Sequence, residues 1–113
     1  MNNSYREIND VLTDPHYVYL FVREDLSVSQ QVIQTVHATQ LTGWVCQGGE
    51  VPNAVLVGAQ SEDDLMTISE YLIDHHIAHE VWYEPDISAH TAIATYPIKG
   101  KDRNALKHFQ LKR

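Results

Sequence analysis

One cysteine, Cys46, is all that the 113-residue chain contains. An internal disulfide and a thiolate zinc cage are therefore both excluded, and a reducing compartment is the simpler setting. No run of 18 apolar residues occurs, and residues 1–7 lack a basic stretch followed by an apolar one. Neither a membrane helix nor a signal peptide is expected, which reads as a cytoplasmic protein without a membrane partner. The glycine patterns G-x-G-x-x-G, the Walker loop and G-x-S-x-G are absent, so those nucleotide-binding and hydrolase classes have no support. Positive charge is scarce over most of the chain. Residues 1–98 hold only Arg6 and Arg23 against 14 acids, whereas residues 99–113 hold six bases against Asp102. A protein that grips nucleic acid broadly needs many Lys and Arg contacts to phosphate, so any such contact must fall on the C-terminal segment. By composition alone, that segment is a solvated basic cluster offsetting a negative body.

What is present is ordinary for a globular domain: 43% hydrophobic and 20% charged residues, enough for one core. The chain should fold alone or as a small oligomer such as a homodimer. Residues 1–15 carry Ile8, Val11 and Leu12 at helical spacing and read as an N-terminal arm ended by Pro15. Residues 16–22, rich in β-branched and aromatic side chains, read as a strand covered on both faces. Ser27, followed by Gln30, has the form of a capping box, and Val28, Val32, Val36, Ile33, Leu41 and Trp44 form an apolar stripe that predicts an amphipathic helix of about five turns running to Cys46, its stripe toward the core. After the breakers at 47–52, residues 53–59 give a second strand. Residues 61–64 cap a second helix with three acids in its first turn, and residues 78–84 and 91–96 give two more strands closed by Pro85 and Pro97. Residues 102–111 read as a short terminal helix. The order β-α-β-α-β-β-α predicts a compact single-domain α/β fold over residues 16–113, with a four-stranded mixed sheet flanked by helices.

Seven histidines invite a metal, but His75, His76 and His79 sit at a helix end where ring nitrogens commonly cap carbonyls, and no H-x-x-x-H pair with a nearby acid is present. His37 borders the apolar stripe, Asp25 precedes the helix, and Asp86 follows Pro85; each has an ordinary structural role open to it. Because parallel sheets bring strand ends to a common edge, Asp25, His37, Asp86, His90 and Thr91 can also assemble into a base, an orienting acid and a hydroxyl donor.

Residues 22–26, Val-Arg-Glu-Asp-Leu, followed by Gln34-x-x-His37-Ala38, resemble the signature of the type-II peptidyl-tRNA hydrolases. Residues 61–65, 81–86 and 91–94 are similar to that family's second helix, third strand and last strand. The resemblance covers about residues 16–111 and implies a four-stranded mixed sheet. It further implies hydrolysis of the ester joining a peptide to the 3′ end of a tRNA, with no metal or organic cofactor, and tRNA as a partner approached by the basic C-terminal segment. It places catalysis on Asp86, Thr91, His37 and Asp25, and substrate binding on Ser27, Ser29, Gln30, Gln34 and His90. The sequence departs from the pattern twice. The family's helix-junction lysine falls on Gln30, and the link between Asp86 and Thr91 is shorter, lacking the family's arginine and first threonine. Two other readings therefore stand beside the first: an inactive fold relative that binds a small polar ligand or a protein, and a hydrolase for a non-RNA ester or amide.

Overall fold

A computed structural model describes residues 15–46, 51–109 and 111–112. The N-terminal arm expected at 1–15 thus lies, apart from Pro15, outside the described residues, as does most of the 47–52 breaker. The elements are β1 (His16–Arg23), α1 (Val28–Thr42), β2 (Asn53–Ala59), α2 (Glu62–Asp74), β3 (His79–Glu84), a 3₁₀ turn (Pro85–Ile87), β4 (Ala89–Thr95), a two-residue β5 (Ile98–Lys99) and a 3₁₀ stretch (Gly100–Leu106). The protein is a compact α/β domain.

The sheet runs β2-β1-β4-β3, with β5 beside the start of β1. β1 and β2 are parallel from Tyr17↔Asn53 to Arg23↔Ala59, and β4 is antiparallel to both β1 and β3. The short link through Pro85 enforces that reversal, since a parallel return needs a long crossover. Strand alternation divides the core into two. Tyr19, Phe21, Val57, Ile93 and the α2 residues Leu65, Ile68 and Leu72 pack on one face, closed by Ile98 and Leu106 from the C-terminal segment. Val22, Ala92 and Ala94 face Ala38 of α1 on the other, with Leu20 and Trp82 beside them.

Both helices start at a serine. Ser27 Oγ accepts from Gln30 N, and Ser61 Oγ accepts from Asp64 N, so each satisfies one of the amides a helix start leaves unpaired. α1 stops at Thr42 rather than Cys46, because Gly43 adopts the left-handed conformation (φ 66°) and returns its N–H to Gln40. The stripe expected to be buried is not. The sheet-facing positions of α1 are Gln31, Gln34 and Ala38, whereas Val28, Val32, Ile33 and Val36 are exposed. The physical reason lies at the sheet surface: Ala38, Ala92 and Ala94 let the backbones approach closely, Gln34 finds partners there in Glu84 and Thr91, and Gln31 is satisfied by Leu26 O in the turn before the helix. The terminal helix expected over 102–111 is also corrected. The segment turns as 3₁₀ over Gly100–Leu106, and Leu111 then bridges Val57 at the outer edge of β2. Arg103, stacked 3.7 Å over the Tyr17 ring and donating to Tyr19 Oη, holds this segment against β1.

Candidate functional site

The carboxyl ends of β1 and β3, the first turns of both helices and the start of β4 meet at one edge of the sheet. One hydrogen-bond network joins three elements there. Thr91 Oγ1, fully buried on β4, donates to Gln34 Oε1 at 2.7 Å; Gln34 Nε2 donates to Glu84 Oε1 at the end of β3 (3.0 Å) and to Gln30 Oε1 (3.2 Å). Glu84 Oε2 accepts the backbone N–H of Asp86 at 3.3 Å. These donors stabilise the charged carboxylate: the Gln34 amide foremost holds Glu84 below the usual carboxylate range. The Trp82 indole N–H lies close to the same carboxylate but outside hydrogen-bond geometry, leaving it buried without a partner.

A β-bulge aims Thr91 into this network. Trp82 pairs with Ala92 but Tyr83 pairs with His90, so Thr91 is the extra residue. Uninterrupted alternation from Ala94 and Ala92, which face α1, would send Thr91 to the opposite side of the sheet; the extra residue turns it toward α1 instead.

His90, the next residue back, anchors a second network. Its N–H and Nδ1 both approach Glu62 Oε2, at 2.7 and 3.2 Å, and its carbonyl accepts from Arg23 at 3.1 Å. Arg23 also grips Asp25 with two hydrogen bonds, of 2.9 and 2.8 Å. The Arg23 fork lowers the Asp25 pKa, and the bond from the His90 backbone is the main cause of the lowered Glu62 pKa.

Among the nine residues singled out by sequence, Gln30, Gln34 and Thr91 are bonded together, and Asp86 joins them through Glu84. Asp25 and His90 share the Arg23 network on the other side of the Thr91 bulge. Ser27 and Ser29 sit at the α1 start with hydroxyls 3.4 Å apart. His37 has no hydrogen bond into the network; its ring is tilted against Trp82, 5.0 Å between centroids, and it lies near enough to Glu84 to add a minor share to the lowering of that carboxylate's pKa. Asp86 is exposed, and its carboxylate has no hydrogen bond or ion pair among the described residues. Sequence reasoning missed Arg23, Glu62 and Glu84 as site residues. Arg23 carried a signal, being one of two bases in the first 98 residues; an acid at a strand end, or one of three in a helix first turn, carries none.

The lysines do not gather here. Lys99 pairs opposite His16, at the far end of β1, and Lys101 lies in the stretch that follows. Lys112 alone returns toward this edge, bonded to Glu24 at 3.0 Å. His75 Nδ1 meets Tyr71 O, and His79 lies between Ser69 Oγ and Ile77 O, so both act at the helix end. Among the described residues, no group of three or more His, Cys, Asp or Glu is arranged to hold a metal ion.

No protein-family model matches the chain, and no curated protein matches it. Among solved structures, the chain is similar to a protein of unknown function from Agrobacterium tumefaciens strain C58, with a TM-score of 0.58 and 16% identity over 87% of this chain and 98% of the other. That likeness concerns the fold.

Proposed function

We propose that the protein is a divergent hydrolase of the peptidyl-tRNA type, cleaving the ester between an acyl or peptidyl group and the 3′ end of a tRNA. The observation that carries this reading is the 2.7 Å bond between Gln34 and Thr91. Gln34 and Thr91, from two of the motifs on which the resemblance rests, lie 57 positions apart in the chain and meet in one buried contact, which Glu84 links to the backbone of Asp86. Asp86 takes the proton of the attacking water, the water oxygen bonds to the ester carbon, and the ribose oxygen leaves with a proton. The Ser27 and Ser29 hydroxyls, the Gln30 amide and the unpaired N–H groups of the α1 start are the donors for the developing oxyanion. Thr91, whose hydroxyl is committed to Gln34, acts as a positioning residue. The eight residues of β1 span about 25 Å, so a polynucleotide ending at this edge would run past the exposed Lys101 and Lys107.

The test is release of free tRNA from N-acetylaminoacyl-tRNA by the purified protein. Turnover should fall roughly 10²–10⁴-fold in Asp86→Ala, and Gln30→Lys should raise it about tenfold by supplying charge to the oxyanion. No release at high enzyme concentration, with the fold intact, overturns the proposal.

A second reading rests on the charge of the edge itself. Asp25, Glu62, Glu84 and Asp86 stand against Arg23, an arrangement that favours a neutral or cationic ester or amide over a phosphate-bearing one. Hydrolysis of small acyl esters, without tRNA cleavage, would select it. Neither activity, together with ligand-dependent thermal stabilisation that is lost in a Gln30 or His37 variant, would select a non-catalytic binding protein.

A further inference from the structure

We infer that the α1 face is the docking surface for a second copy of this chain. On this side the sheet is only partly covered. α1 lies over β4, β3 and β1, and between α1 and edge strand β2 runs an open apolar cleft of about 320 Å³, lined by Leu20, Val22, Val28, Val32, Val36 and Leu56. The four α1 residues named above as exposed and Leu56 show between 37% and 77% of their surface. β-branched residues on an outward helix face disfavour the helix slightly and gain nothing in water, and gathered into one patch they mark an interaction surface.

The patch also lacks charge. The 15 residues of α1 contain no Asp, Glu, Lys or Arg, in a chain of net charge −7. Lys112, at the rim of the cleft, is neutralised by Glu24. Depletion of charge with retention of apolar surface marks the centre of an interface. A second copy is the occupant it fits: two copies of net charge −7 repel one another least where neither brings charge into the contact, and a two-fold contact puts this uncharged patch on both sides. The area is sufficient. Val28, Val32, Ile33, Val36 and Leu56 together expose on the order of 450 Å², close to the apolar share of the roughly 800 Å² per partner that a standard interface covers.

Sedimentation equilibrium of the full chain over a range from sub-micromolar to several hundred micromolar tests this. A species of twice 12.9 kDa is expected at the upper concentrations. Val32→Glu, on an exposed position that the fold does not use, should raise the dissociation constant at least roughly 30-fold while leaving the circular dichroism spectrum unchanged. Ile73→Glu, at an equally exposed apolar residue of α2, should leave association intact. A monomer throughout overturns the inference and leaves the cleft to residues 1–14 or to another protein. A dimer as tight in Val32→Glu as in the parent overturns it too.

Discussion

Thr91 shows most directly how single atoms join fold and chemistry. Its hydroxyl, buried at the bulge, has one partner, the Gln34 carbonyl oxygen. Thr91→Val keeps the shape and removes the donor, leaving that oxygen buried and unmet, so the protein should lose about 1–3 kcal/mol in a urea unfolding titration. Turnover should fall as well, because Gln34 would no longer be held against Glu84. Gln34, Thr91 and Asp86 were legible in the sequence because they recur in a recognisable spacing. Glu84 was not, since an acid before a proline is among the commonest ways to end a strand. The bulge that turns Thr91 was not legible either, because it depends on the register between two strands and leaves no residue-type mark.

Among the elements, α1 is where pattern reading and folded chain part most sharply. The helix itself, its Ser27 cap and its position after β1 were legible from propensity and capping, but its orientation was not. Periodicity identifies an apolar stripe without saying whether that stripe meets the chain's own core or another surface. What sets the orientation is the small-residue contact of Ala38 with Ala92 and Ala94, which lets Gln34 reach polar partners at the sheet. Ala38→Leu overfills that contact. A cost of about 1–3 kcal/mol is expected by thermal or denaturant unfolding, and activity should fall further than stability as α1 lifts away from Thr91. The C-terminal segment is a simpler case. Ala105, Leu106 and Phe109 have helical spacing, but Leu106 and Phe109 are drawn into the α2-side core and Arg103 onto Tyr17, and a tight 3₁₀ path meets all three demands.

Across the whole molecule, charge is polarised along the strands: acids gather at the carboxyl edge, and Lys99 and Lys101 lie at the other end. Asp25, Glu62 and Glu84 all have lowered pKa values, each from a hydrogen bond made only in the fold. A carboxylate whose pKa is lower folded than unfolded stabilises the fold above its unfolded value, near 4, and that stabilisation is lost as pH falls through the folded value. The melting temperature should therefore hold from neutrality to about pH 5 and decline below it, as differential scanning calorimetry across a pH series would measure. Arg23→Gln should flatten the decline, since it removes the principal cause of the Asp25 shift. A melting temperature that rose on acidification would contradict the assignment. Fold class and the order of the first four strands and two helices along the chain were legible at this level because alternating elements and four prolines at strand boundaries constrain the path, whereas the order of the strands across the sheet was not. The polarity along the sheet became visible only once that path was known.

The bulge at Thr91 also makes the candidate site separable from the fold that carries it. With one residue fewer at the start of β4, β3 and β4 could pair in unbroken register, and Ile93, Ala92 and Ala94 would keep their places. The domain would persist, and the hydroxyl facing Gln34 would be gone. A lineage could thus gain or lose this site by a single codon insertion or deletion, without passing through an unfolded intermediate.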